Sequence, residues 1–288
     1  MNIVTDERCL AYEQPGHPER PERISKTVAL LRSQKELRIR WHYPSNVDDE
    51  IILRAHTAEH LDLVKRAPAR FRPDTPAYAN IFEHARRSVG GALKAMRLAR
   101  RGETVFSLLR PPGHHAMRDE AMGFCYLNSI AVAAMEGLAM GVRTMAVFDF
   151  DVHHGNGTQE ILLNQPHVAF FSVQQHPCFP GTGKRNKGLN CFNYPVLPNT
   201  HRKEYCKVLQ RAFDDVKKFD PDLIAVSAGF DAYLGDSIAQ EQLEIEDFHW
   251  IGQMIRSSGI PAFSMLEGGY SKELPDLIFA YLKGIAGK

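Results

Sequence analysis

The stretch VFDFDVHHGNGTQ, residues 147–159, decides how this chain is read. It opens as an apolar run and ends in Asp149, Asp151, His153 and His154, with Gly155 and Gly157 close behind. A buried strand that ended in a plain surface turn would have no need for so many groups that bind metals or move protons. On an extended chain the side chains at i and i+2 point the same way. Asp151 and His153 therefore project together, and Asp149 shares their face one step nearer the interior.

Four further runs have the same character: ETVFSLLR (103–110), HVAFFSVQ (167–174), DLIAVSAGF (222–230) and IPAFSMLEGG (260–269). Nearly continuous apolar character, without strict alternation, predicts strands buried on both faces. Helical patterns lie between them, at 81–102, 126–141, 202–220 and 245–259, several of them ending at a glycine. Strand alternating with helix predicts an α/β fold built on a parallel, doubly wound sheet. No low-complexity linker, internal repeat or break in composition interrupts the pattern, so a single domain is expected over residues 1–288. In such sheets ligands bind beyond the carboxyl ends of the strands. His114 and His115 follow the 103–110 run, Asp151 and His153 the central one, Asp231 the fourth and Tyr270 the last.

The 288 residues are 44% hydrophobic and 24% charged, which suits a globular chain with a sizeable core. Lys+Arg 35 against Asp+Glu 34 leaves a net charge of +1, so no electrostatic case for nucleic acid exists. Five scattered cysteines without a C-x-x-C pair predict a reducing compartment. The amino terminus lacks the pattern of a signal peptide, and no apolar run approaches the ~18 residues of a membrane helix. A cytoplasmic protein with no membrane partner is expected.

Asp151, His153 and the distant carboxylate Asp231 make a three-ligand set that leaves a position for water, the pattern of a catalytic metal. In RPPGHHA (110–116) the prolines stiffen the backbone and Gly113 permits an unusual turn before the paired histidines. Each ring needs a partner to fix its tautomer, and Asp149 and Asn156 are the candidates. A carboxylate on one ring and an amide on the other would give the two different pKa values, as acid and base roles require.

With these residues assembled, the chain resembles the zinc-dependent histone deacetylase and acetylpolyamine amidohydrolase superfamily. GHPERPERI, RPPGHHA, GFCYLNSIAVAA, VFDFDVHHGNGTQ, FPGTG, SAGFDAYLGD and LEGGY occur in the family's order, from Gly16 to Tyr270. The resemblance implies the arginase–deacetylase fold with an eight-stranded parallel sheet flanked by helices. It implies Zn²⁺ on Asp151, His153 and Asp231, His114 and His115 as the acid–base pair, and Tyr270 donating its hydroxyl to the substrate carbonyl. Phe124, Phe179 and Gly123 would line a channel for a linear alkyl chain, and Asp74 would be a rim aspartate bonding the substrate backbone. A structural K⁺ would map to Asp149, main-chain oxygens of Asp151 and His153, and Ser172. Arg20 or Arg23 would line the cavity by which acetate leaves. HPERPER and HHGNGTQ look closer to the class II and bacterial branch, and Asn156 stands where many class I members have Asp.

The expected activity is removal of acetyl, or another short acyl group, from acetylated lysine or from an acetylated polyamine or similar small amide. Two alternatives remain in view. A same-fold dinuclear manganese ureohydrolase would want Asp two residues beyond Asp231, where Tyr233 stands, and has His154 after the ligand histidine. A catalytically silent acyl-amine binding protein would be expected to have lost a ligand, a histidine or Tyr270. The loops at 66–76 and 232–242 are short. The second, with Asp236 and Glu241 leading on to Glu244 and Glu246, is expected to be a solvated acidic face. An oligomer is not readable from the sequence.

Overall fold

The computed structural model describes residues 1–67 and 70–288; Pro68 and Ala69, within the 66–76 loop, lie outside the described residues. Strands β1 (Asn2–Val4), β2 (Arg40–His42), β5 (Val105–Ser107), β6 (Met145–Asp149), β7 (Val168–Gln175), β8 (Cys191–Val196), β9 (Leu223–Ala228) and β10 (Ala262–Leu266) form one sheet, and β3 (Arg70–Arg72) and β4 (Thr75–Pro76) a small hairpin. The main sheet runs β2-β1-β5-β10-β9-β6-β7-β8, and every neighbouring pair is parallel. All five expected strands are present. β1, β2 and β8 escaped the sequence pattern because NIV and RWH are only three residues long and CFNYPV is broken by Asn and Pro.

The central strands are buried along their whole length because both faces are covered. Successive residues of β6 alternate between two cores: Ala146 and Phe148 belong to one, Met145 and Val147 to the other. The first core packs under α1 (Glu22–Ser33), α7 (Arg202–Phe219), α8 (Ile245–Ser257) and α9 (Leu274–Ala286). The second packs under α3 (Ala58–Arg66), α4 (Ile81–Ala99), α5 (Ser129–Ala139) and α6 (Asn156–Leu162), with α2 (Asp49–Ile52) beside them. In α7 the buried Tyr205, Leu209, Ala212, Phe213 and Val216 recur at the spacing of one helical stripe.

This topology sets β5, β10, β9 and β6 side by side, and their carboxyl ends carry the histidine pair, Tyr270, Asp231 and the Asp151–His153 pair respectively. A buried ion pair anchors the first of these ends. Arg110, fully buried, holds Glu19 through Nε at 2.6 Å and Nη2 at 2.7 Å, donates from Nη1 to the carbonyls of Cys9 and Tyr12, and stacks on the Tyr12 ring. Removing Arg110 leaves the buried Glu19 carboxylate with only the longer 3.3 Å contact to Arg23 and the Tyr12 hydroxyl to offset its charge. Arg110→Met is therefore expected to cost about 3–5 kcal/mol of stability, read as a lower urea midpoint at unchanged slope.

Candidate active site

At the end of β6 the chain turns on its own carboxylates. The Asp151 amide donates to Asp149 Oδ1 at 3.1 Å and the His153 amide to Asp151 Oδ1 at 2.9 Å. The Val152 amide donates to Asp231 Oδ1 at 3.0 Å, drawing the end of β9 against it. His153 Nδ1 then lies 3.2 Å from Asp151 Oδ1 and 3.0 Å from Asp231 Oδ2. One donor atom from each of Asp151, His153 and Asp231 falls within 4.8 Å of the others, with all three residues buried. Gly268 makes the approach possible: its amide donates to Asp151 Oδ2 at 2.7 Å, and a Cβ there would come within 2.1 Å of Asp231 Oδ2.

Two buried carboxylates share this gap with a single imidazole. Burial and the neighbouring Asp151 charge raise the Asp231 carboxyl to about 6. Burial works against a charged His153, but hydrogen bonds to Asp151 and Asp231 outweigh it and raise its pKa well above the usual value. Two carboxylates and one imidazole in a buried cradle that only glycine leaves open are a donor set suited to a divalent ion of the zinc type.

His114 and His115 stand beside the cluster with ring centroids 4.0 Å apart. His114 Nδ1 meets Asp149 Oδ2 at 3.1 Å, and His115 Nδ1 meets Asn156 Oδ1 at 2.8 Å. Asn156 Nδ2 faces Met122 Sδ at 3.3 Å, which leaves Oδ1 for the ring, puts the proton on His115 Nδ1 and frees Nε2 as an acceptor. Burial disfavours a charged His114, but Asp151 and Asp149 overcome it and push its pKa up to about 10. For His115 burial dominates, the His114 and His153 charges add to it, and the pKa falls well below 6.5. The pair is thus split by environment.

These groups floor a cavity of about 210 Å³ whose sides include Phe124, Phe179, Gly123 and Ile238, with Tyr270 and Asp74 on its lining. The Phe179 ring stands perpendicular to His115 at 5.0 Å, and Phe124 lies edge-on to Tyr270 at 5.8 Å. The Tyr270 amide donates to Asp236 Oδ2 at 2.7 Å. Its ring lies 4.8 Å from the Arg23 guanidinium, which donates to the carbonyls of Gly269 and Glu267 and pairs with Glu19. Gly269, at φ +114°, turns the strand end in a space where a Cβ would strike Phe230 and Leu274.

Of the remaining candidates, Ser172 pairs with Asp149 in the sheet, and its buried Oγ has no hydrogen-bond partner among the described residues. Arg23 is buried behind Tyr270, whereas Arg20 is largely exposed beside Glu22. His154 packs outside the cluster, with Nδ1 on Thr182 Oγ1 at 2.7 Å, and burial lowers its pKa to about 4.

The expectation of a solvated acidic face at 232–246 is corrected. Asp236 accepts the amides of Tyr270 and Ile238, Glu241 is only 3% exposed, and Glu244 caps α8 in a reciprocal box with Asp247. Glu246, beside Arg202, is the most exposed of the four.

Sequence reasoning missed Glu267, Ile238 and the anchoring role of Asp236. The Glu267 carboxylate, fully buried, accepts the amides of Gly113 at 2.7 Å and His114 at 3.1 Å and so fixes the histidine loop. Its signal was a carboxylate directly after an apolar run, as at Asp149. Ile238 carried none, because a lone aliphatic residue in a loop is ordinary.

A histidine pair thus stands beside a buried Asp-His-Asp cluster that could hold a metal ion, at the carboxyl edge of an eight-stranded parallel sheet. The chain belongs to the histone deacetylase family: the histone deacetylase domain profile matches residues 17–283. It is 36% identical to the "Probable deacetylase" of Methanothermobacter thermautotrophicus over 96% of this chain and 89% of that protein. The fold superposes on the crystal structure of the HDA15 HD domain with a TM-score of 0.93, at 32% identity over 100% of this chain and 88% of that one. It matches the acetylpolyamine aminohydrolase from Burkholderia pseudomallei with a TM-score of 0.89, at 25% identity over 99% and 98%. Family and arginase–deacetylase fold are both as the sequence resemblance implied.

Proposed function

We propose that residues 1–288 form one zinc-dependent amidohydrolase domain that removes acetyl, or another short acyl group, from the amine of a linear chain. The observation that carries this reading is the oppositely tuned histidine pair beside the Asp151–His153–Asp231 cluster at the floor of an aromatic-walled pocket. Acetylated lysine and acetylated polyamines both present such a chain, and deacetylase and acetylpolyamine aminohydrolase relatives support the class. Among the described residues no helix is long and apolar enough to cross a membrane, which suits a cytoplasmic role.

Asp151, His153 and Asp231 would hold the metal, which when bound polarises a carbonyl and acidifies a water. His115 Nε2 takes a proton from the water as its oxygen bonds to the acyl carbon. The C–N bond then breaks, that proton passes to the departing amine, and the free acid gives up its remaining proton to solvent as the carboxylate. His114, held protonated by Asp149, supplies positive charge beside the base. Tyr270 donates its hydroxyl to the acyl oxygen; burial raises its pKa well above 10 and keeps the donor protonated. Phe124 and Phe179 exclude water along the alkyl chain. Asp149, the Asp151 and His153 carbonyls and the partnerless Ser172 Oγ would hold a structural K⁺.

Tyr270→Phe is expected to lower kcat by roughly 10²–10³, the scale of one oxyanion donor. The test of the whole reading is turnover of an acetyl-lysine peptide and N-acetylputrescine by zinc-loaded protein, side by side. Hydrolysis of either supports it. A metal-loaded protein inactive on both, and on longer acyl homologues, would overturn it.

A further inference from the structure

The pocket wall depends on a turn that a bulky residue rarely adopts. Gly123 and Phe124 lie in the left-handed region at φ +56° and +69°. A phenylalanine stays there only where its surroundings over-determine it. Two consecutive side chains of the β3–β4 hairpin do so. The Gly123 amide donates to Asp74 Oδ2 at 3.2 Å, and the Phe124 amide donates to Thr75 Oγ1 at 3.2 Å. The Thr75 hydroxyl in turn donates to Asp74 Oδ1 at 3.0 Å, and Thr75 is fully buried. A short bond from Tyr126 Oη to the Pro76 carbonyl, at 2.5 Å, ties hairpin and turn together a second time. The turn bears on the chemistry as well as on the wall, because a Cβ at Gly123 would lie 2.4 Å from His115 Cδ2.

We propose that Asp74 and Thr75 are positioning residues: through the Gly123 and Phe124 amides they hold Phe124 in the wall and Gly123 against the His115 ring. This rests on the functional reading above and deepens it, since Asp74 then serves every substrate alike and is not reserved for gripping a peptide backbone. Each Asp74 oxygen already accepts a bond within the protein, and the group those bonds steady is shared by all substrates.

The experiment uses zinc-loaded wild type, Thr75→Val, Thr75→Ser and Asp74→Ala, assayed on an acetyl-lysine peptide and on N-acetylputrescine, with amide hydrogen exchange on the same proteins. Thr75→Val and Asp74→Ala are expected to lower kcat/KM roughly 10–100-fold, the range for outer partners of a site, and to do so equally on both substrates. Thr75→Ser should restore the wild-type rate. Exchange at the Phe124 amide should quicken in Thr75→Val while α5 stays protected. A loss in Asp74→Ala confined to the peptide would overturn the proposal, as would unprotected Gly123 and Phe124 amides in the wild type. A wild type that hydrolyses neither amide nor their longer acyl homologues but shows the expected exchange pattern would sink the functional reading and leave the clamp standing.

Discussion

Asp231→Ala is expected to abolish both turnover and metal retention while leaving the protein folded. A carboxylate oxygen of Asp231 is one of the three converging donor atoms, and without it His153 and Asp151 offer a two-ligand site. The structural cost is bounded. The Val152 amide loses its acceptor, worth about 1–3 kcal/mol for a buried donor, against total stabilities of about 5–15 kcal/mol. Loss of a raised-pKa carboxylate from beside Asp151 offsets part of that. Thermal unfolding with and without added zinc separates the two effects. The wild type should gain stability with zinc, by about 2.7 kcal/mol at a hundredfold excess over Kd, and the variant should gain almost none. Zinc stoichiometry after desalting checks the same point. A variant that kept one zinc per chain and normal turnover would remove Asp231 from the ligand set.

His115→Ala is expected to lower kcat/KM by roughly 10²–10⁴, the contribution of a positioned acid–base group, with zinc binding unchanged. The pH profile carries the finer expectation. A base works when unprotonated, and burial together with the His114 and His153 charges depresses His115 well below 6.5. Activity of the wild type should therefore persist through pH 6.5 and fall only as the pH drops through that lowered value. Asn156→Asp places a carboxylate on His115 Nδ1, favours the imidazolium, and should move the acid limb up by about 1–3 pH units. An acid limb that did not move in this variant would show that the base lies elsewhere.

Part of this molecule is local, and local information is legible without coordinates. The burial of the central strands shows as continuous apolar runs, because a strand covered on both faces needs no polar alternation. The shared face of Asp151 and His153 follows from the two-residue period of extended chain. The rigidity of the histidine loop follows from two prolines and a glycine.

Other features depend on which strands become neighbours, which no local period encodes. Only the order β5-β10-β9-β6 brings Asp231 to His153 and Glu267 beneath the histidine loop. Asp149 and Asn156 were both plausible partners for either histidine; packing assigns the carboxylate to His114 and the amide to His115, and that assignment separates their pKa values. The acidic loop looked solvated because its composition is polar. Asp236 instead takes the Tyr270 amide, Glu244 caps the start of α8 and Glu241 is buried, placements that only the folded chain supplies. Sequence by itself determined the five long apolar strands, the residue types of the Asp-His-Asp cluster and the histidine pair. Tertiary structure alone decided their partners and charges, because hydrogen bonds and desolvation act between residues that the chain brings together from far apart.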